Sequence, residues 1–247
     1  MTASVVIPAR YASTRFPAKI LAAETGRPLV QHVVDRVRQC KRVGEVVVAT
    51  DDERIVAALR PFGTRCVMTS PNHQSGTDRI AEVAACGLAS EIIVNVQGDE
   101  PEIEPDIVDA LVERLAGDSG FDMATAATRF PTASDPQDPN LVKVVMGPDG
   151  RAVYFSRAPI PFHRDRPAGV EPAYYLHLGI YAYRRDFLLK FASWPPTPLE
   201  TTEKLEQLRA LEHGRSIYVL KVDRATHGID TPEQYQSFVR RFREHHE

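Results

Sequence analysis

The chain has 247 residues, enough for one large α/β domain or two small ones with a sizeable core. With 43% hydrophobic and 26% charged residues and a net charge of −3, it has the make-up of a globular protein and lacks the positive balance of a general nucleic-acid binder. Cys40, Cys66 and Cys86 are odd in number, well separated and without a CxxC pair, which points to reduced thiols in a cytoplasmic setting and away from a disulfide framework or a zinc site. Pro8 and Arg10 fall where a secretory signal would need an unbroken apolar stretch, and no apolar run approaches bilayer length, so no membrane partner is expected.

In chain order, the β-branched run Val5-Val6-Ile7 predicts a buried strand that Pro8, lacking an N–H, should end. The loop that follows carries Arg10, Arg15 and Lys19, with no acidic residue before Glu24. Three cations on one loop repel one another unless an anion sits among them, so the loop reads as a polyphosphate site at the mouth of an α/β sheet. Further strands are predicted at 45–50, 64–68 and 91–97, with helices at 28–41, 51–62, 75–88 and 105–115 between them. Apolar strands linked by crossover helices imply a largely parallel sheet covered on both faces, a Rossmann-like doubly wound arrangement.

The pattern changes from Asp122 onward. MATAAT reads as a strand, and 141–157 as two strands joined by a turn at Gly147-Pro148-Asp149-Gly150. The aromatic, alternating stretch 174–184 is a further strand, and 159–172, rich in Pro, Arg and Asp, an exposed loop. A single helix is expected over 199–214, with Leu205, Leu208 and Leu211 on one face and Gly214 as its stop. A strand over 216–223 and an amphipathic helix from Thr231, with Pro232 in its first turn, complete the chain. With no linker, repeat or low-complexity segment, residues 1–247 read as a single domain: a nucleotide-binding half over 1–120 and a mixed second half over 121–247.

Neither GxGxxG nor GxxxxGK[ST] occurs, and GxSxG and HExxH are also missing, so any phosphate must be held by side chains as well as backbone. Asp99, in the Gly98-Asp99-Glu100-Pro101 sequence after the strand 91–97, falls where α/β sheets meet ligands and is a candidate Mg²⁺ ligand; it reads alternatively as a turn residue capping the next helix. Gly98 there reads as a place where a ligand approaches the backbone. Asp230 is a second candidate carboxylate, although its local setting, two residues before Pro232, favours a helix cap.

The segments IPARYASTRFPAK, MTSPNHQSGTDR, VNVQGDEP, DPNLVKVV, YFSRAPIP, HLGIYAYR, PLETTEKLEQLRALEHG and GIDTPE run in order over nearly the whole chain. Together they resemble the 3-deoxy-manno-octulosonate cytidylyltransferase (CMP-Kdo synthetase) family, whose fold is of the nucleotide-diphospho-sugar transferase type. The first segment is shared more widely among sugar-activating cytidylyltransferases, while HQSGTDR, YFSRAPIP and HLGIY are more particular to the Kdo branch. The resemblance implies a cytoplasmic, Mg²⁺-dependent homodimer that joins CTP and Kdo to give CMP-Kdo and pyrophosphate for lipopolysaccharide assembly, with the second half binding sugar and forming the dimer. By the same resemblance Arg10, Arg15 and Lys19 match the triphosphate loop, Arg79 and Gln97 the nucleotide pocket, and Asp99 and Asp230 the metal ligands. Lys19, Asp99 and Asp230 together form the implied catalytic set. Arg157, His177, Tyr181, Glu206 and Gln207 match the positions around the sugar; read without the resemblance, His177 is a satisfied strand histidine and Glu206 a solvated helix charge.

The chain departs from the family pattern at Ala18, where a glycine is usual and a positive φ would be strained, at Leu176, and at Thr226-His227 ahead of Gly228. A synthetase for an 8-amino-Kdo or a sialic acid is the nearest competing reading, and the presence of HQSGTDR and HLGIY favours Kdo. A non-catalytic nucleotide-binding regulator would have lost Lys19 or Asp99. A glycosyltransferase would carry an Asp-x-Asp motif, which VQGDEP lacks.

Overall fold

The computed structural model describes residues 2–12, 16–117, 120–131, 134–165, 173–224 and 228–244. Nine strands form one sheet in the order β3-β2-β1-β4-β8-β5-β9, with the β6–β7 hairpin joined to β8 at Lys143 and Leu176. The strands are β1 (Ala3–Ala9), β2 (Val43–Thr50), β3 (Arg65–Met68), β4 (Ile92–Asn95), β5 (Met123–Arg129), β6 (Lys143–Met146), β7 (Ala152–Ser156), β8 (Tyr175–Arg184) and β9 (Ile217–Val222). The first four run parallel, as their crossover helices require, and β9 runs parallel to β5. The reversed strand β8 lies antiparallel to both β4 and β5 and so ties the two halves of the chain into one mixed sheet.

Helices cover both faces. Val5 and Ile7 point into a core shared with α1 (Leu29–Val37) and α4 (Pro105–Gly117), while Val6 joins a second core built with α3 (Gly76–Ala85), α5 (Arg185–Ser193) and α7 (Gln207–Glu212). The helix α2 (Glu53–Leu59) opens on Asp52, whose side chain caps the Arg54 N–H. The C-terminal α8 (Pro232–Glu244) packs Tyr235, Phe238 and Val239 against Leu29, which fixes the preceding Ile229-Asp230 segment against the start of α1.

Two expectations are corrected. The strand β1 runs through Pro8 to Ala9, because its ladder with β4 has already ended at Val6, leaving a side where a missing N–H costs no hydrogen bond. The single helix over 199–214 is two short ones, α6 (Pro198–Glu203) and α7, broken where Lys204 takes a left-handed φ of 55°. The helix α5 follows directly on β8 without a side-chain cap to announce it. Elsewhere the turn residues behave as their chemistry requires: a Cβ on Gly150 would lie 2.5 Å from the Tyr218 ring, and Gly214 ends α7 at φ 67°.

Candidate active site

The loop after β1 enters a short 3-10 turn at Lys19–Leu21, preceded by Ala18 in the left-handed region at φ 55°. That backbone bend aims Lys19 inward, and the side chain is only 10% exposed. Its Nζ donates to Asp99 Oδ2 at 2.6 Å and to Asp230 Oδ1 at 3.1 Å, so two carboxylates remote in sequence meet at one ammonium. The sequence alone suggested an unpartnered, self-repelling basic loop; Lys19 instead has two acidic partners. The local case for Asp230 as a helix cap is also overturned. Thr231 caps α8 through its hydroxyl, which accepts from Gln234 N–H, and the Asp230 carboxylate turns to Lys19. The two acidic segments are locked together by the Ile229 N–H, which donates to the Asp99 carbonyl at 2.9 Å.

Gly98 serves packing here: a Cβ would lie 3.0 Å from the Pro8 carbonyl, so the loop after β4 can lie flush on the end of β1 only with glycine. Beyond it Glu100 is buried, and desolvation, reinforced by neighbouring Asp99, pushes its carboxyl up to about 8. Asp99 and Asp230 supply hard oxygen donors at one point, a set that suits Mg²⁺, which takes one or two carboxylates and completes its shell with water and phosphate. Among the described residues no group of three or more His, Cys, Asp or Glu side chains could form an all-protein cage.

The remaining nucleotide-side candidates are distributed around this point. Arg10 is exposed, donates to the His73 carbonyl and lines a cleft of about 380 Å³ with Tyr11, Asp51, Arg54 and His73. Arg15 lies outside the described residues, as do Thr226 and His227. Arg79 is not a solvated charge: it is 0% exposed within α3, donating to Asp51 at 2.8 Å and to the Thr69 hydroxyl, with Nε unpaired. The Gln97 amide donates weakly, at 3.5 Å, to the Gly179 carbonyl on β8.

That contact leads to the second cluster. Between Thr125 and Ala126 the β5–β8 register slips, so that Tyr181 pairs with Thr125 but Leu178 with Ala126, a bulge at Gly179-Ile180. His177 and Tyr181, four residues apart, would stand about 13 Å apart along a regular strand; their rings lie 5.4 Å centroid to centroid. The His177 imidazole meets Thr125 Oγ1 at 2.9 Å and packs on Phe155, and burial pushes its pKa down to about 3, so it is neutral at pH 7. Burial raises the Tyr181 hydroxyl well above its ordinary value. Glu206 is no solvated helix charge either: its carboxylate accepts from Thr77 of the SGTDR segment at 2.6 Å, and burial raises its pKa. Gln207 is buried with its amide nitrogen unpaired among the described residues.

Arg157 is placed differently from a free carboxylate fork. Its guanidinium donates to the carbonyls of Glu203, Pro139 and Lys204, at 2.6, 2.7 and 3.2 Å, while the Glu203 carboxylate accepts from Ser156 and from the Arg157 N–H. The buried ammonium of Lys143 adds a bond to the Arg157 carbonyl at 2.6 Å. This knot grips the left-handed Lys204 elbow that presents Glu206 and Gln207, and burial lowers the Lys143 pKa. Sequence reasoning missed Thr125, Thr77, Lys143 and Glu203; each stands in a segment whose composition reads as ordinary strand or helix, and only Lys143, a charge within an apolar run, offered a signal.

The profile of the cytidylyltransferase family matches residues 4–217. The chain is 49% identical, over 98% of its length and 100% of the relative's, to the 3-deoxy-manno-octulosonate cytidylyltransferase of Geobacter sulfurreducens, and 51% identical over the same shares to that of Geotalea uraniireducens. The solved structure of a CMP:2-keto-3-deoxy-manno-octonic acid synthetase complexed with CTP superimposes with a TM-score of 0.92 at 39% identity, covering 99% of this chain and 100% of that one. A cytidylyltransferase from Leptospira borgpetersenii, at 18% identity and a TM-score of 0.63, shares the fold. With the family profile matched over residues 4–217 and these relatives matched over 98% of its length, the chain belongs to the 3-deoxy-manno-octulosonate cytidylyltransferase family.

Proposed function

We propose that this chain transfers the cytidylyl group of CTP to Kdo, releasing pyrophosphate and forming CMP-Kdo. The anomeric 2-hydroxyl attacks the α-phosphorus in line, a new P–O bond forms, and the bond to the pyrophosphate oxygen breaks. Such a reaction asks the protein to position two substrates and to place positive charge where the leaving group gains negative charge. The observation that carries the reading is the meeting of Lys19, Asp99 and Asp230 beside the loop after β4. Two of the three Lys19 N–H groups engage the carboxylates, and the third, with no partner among the described residues, is the one to face a phosphate oxygen. Asp99 and Asp230 would hold Mg²⁺, which supplies charge neutralisation at the phosphates when bound. Arg10 adds positive charge, a role the sequence also assigns to Arg15, and Arg79, through Asp51 at the end of β2, braces the nucleotide side. Gln97 spans the seam to β8.

On the sugar side, His177, Tyr181, Glu206 and Gln207 read the hydroxyls, and Arg157 acts by holding the elbow on which the last two stand. The seam between the clusters is Gly179, whose carbonyl takes Gln97 and where an added Cβ would lie 3.9 Å from Glu100 Oε1. The continuous sheet supports one domain, nucleotide in the first half and sugar in the second. A homodimer through the second half is supported by exposed apolar residues there, Phe162 at 83% and Val153 at 62%. Within that half, β8 has one edge taken by β5 and the other by β4 and, at Leu176, by β6. A cytoplasmic location is in keeping with the three free cysteines, and among the described residues no helix is long and apolar enough to cross a membrane.

The test is pyrophosphate release from CTP with a panel of 2-keto acid sugars. Kdo should be the preferred acceptor; equal or faster turnover with an 8-amino-Kdo or a sialic acid would overturn the assignment.

A further inference from the structure

Thr125 lies in the middle of β5 and is completely buried. The bulge in β8 brings three groups to its one hydroxyl: the Ile180 carbonyl at 2.8 Å, the Leu178 carbonyl at 3.1 Å and His177 Nε2 at 2.9 Å. A hydroxyl owns one hydrogen and two lone pairs. Both carbonyls are acceptors only: were the hydrogen given to a bare Nε2, both would face lone pairs of Oγ1, whereas given to one carbonyl it leaves a single such contact. With the hydrogen so placed, the imidazole approaches favourably with a hydrogen on Nε2 that Thr125 Oγ1 accepts.

The imidazole is neutral, since burial holds it well below its ordinary range, and it packs between the Phe155 and Tyr181 rings, neither of which brings a charge. A neutral ring with its hydrogen on Nε2 has a bare Nδ1, an obligatory acceptor. Among the described residues the one side-chain hydrogen bond of His177 is that of Nε2, and the residue is only partly buried.

We infer that Thr125 is a positioning residue that fixes the Nε2–H tautomer of His177, so that Nδ1 accepts a hydrogen bond from a hydroxyl of the sugar substrate. The inference rests on the sugar-side reading above. It adds a direction to the contact: His177 accepts, so the group it recognises must donate. A sugar whose hydroxyl at that position is replaced by hydrogen or by an ether loses the contact.

The experiment combines long-range ¹H–¹⁵N spectra of the full chain, the His177 signals being identified by their loss in His177→Gln, with steady-state kinetics. The wild type and Thr125→Ser, which keeps the hydroxyl, should show Nε2 protonated and Nδ1 bare at neutral pH. Thr125→Val, which removes it, should show a shift toward Nδ1–H and a Kdo KM raised roughly three- to tenfold, the worth of one neutral hydrogen bond, with the CTP KM unchanged. Wild-type protein with Nδ1 protonated, or Thr125→Val with the wild-type tautomer and Kdo KM, would overturn the inference while leaving the site in place. An unchanged Kdo KM in His177→Ala would instead overturn the sugar-side reading, and the role of Nδ1 with it, even where the spectra show the Nε2–H form.

Discussion

Replacing Lys19 with methionine removes one charge and leaves two. In the wild type its ammonium is 2.6 Å from Asp99 and 3.1 Å from Asp230, whose side chains keep 28% and 41% of their surface exposed. Stripping the partner from a fully buried charge costs roughly 3–5 kcal/mol, and a fully exposed pair is worth ~0–1 kcal/mol. These carboxylates sit between those limits, so Lys19→Met should lower stability by about 2 kcal/mol. For a chain of this size that is a fall in Tm of about 4–8 °C. Adding Asp230→Asn to Lys19→Met removes one of the two stranded charges and should recover about half of the loss. Thermal unfolding of the wild type, both single variants and the double variant, at low and at high salt, completes the cycle. In parallel, pyrophosphate release by Lys19→Met should fall roughly tenfold to a hundredfold, because a charge-assisted phosphate contact is worth ~1.5–3 kcal/mol. A Lys19→Met protein as stable as the wild type, or more so, would refute the reasoning: that is the outcome if the loop cations merely repel one another.

Asp99→Asn keeps the shape and an acceptor for Lys19 but removes the charge, so Mg²⁺-dependent turnover should be lost while Tm stays within a few degrees; activity at ordinary Mg²⁺ concentration would remove Asp99 from the metal site. Ala18→Gly should be neutral or stabilising by up to about 1 kcal/mol in thermal unfolding, since relief of a left-handed alanine outweighs the added chain entropy; a clear loss would show that the φ of 55° carries no strain. Arg157→Lys cannot serve three carbonyls in a fixed fork and should cost about 1–3 kcal/mol while raising the Kdo KM more than the CTP KM. His177, with its folded pKa depressed from 6.5 to about 3, contributes stability that is present above 6.5 and is lost as pH falls toward 3. His177→Gln should therefore lose less stability than the wild type across that window in denaturant titrations at stepped pH.

Much of this architecture is written locally. The β-branched runs at Val5-Val6-Ile7 and Val46-Val47-Val48 and the valine stripe of α1 state their partners through period alone. What escapes is whatever distant contacts decide. The spacing of Leu205, Leu208 and Leu211 continues a helix that Lys204 breaks, and the break is gripped by Arg157, which lies on another element. The helix α5 begins without a capping residue. At the site, Lys19 and Asp99 were legible as charges at a strand mouth. Asp230 was legible only through the family resemblance, because its partner Lys19 is 211 positions away and its own neighbourhood resembles a cap. Thr125 was wholly silent: within MATAAT it is one more strand residue, and its importance arises from a slip in the neighbouring strand's register.

That slip divides β8 into two segments that share β5 on one edge and take different neighbours on the other. Downstream of Gly179-Ile180, residues 181–184 are ratcheted to β4, and through it to the sheet that carries the Lys19 cluster. Upstream, Leu176 and His177 belong to the β6–β7 side, joined through Lys143 and through the His177 N–H bond to the Val142 carbonyl. A substitution upstream of the bulge is therefore felt first at the β6–β7 hairpin and one downstream first at β4, with β5 the element common to both.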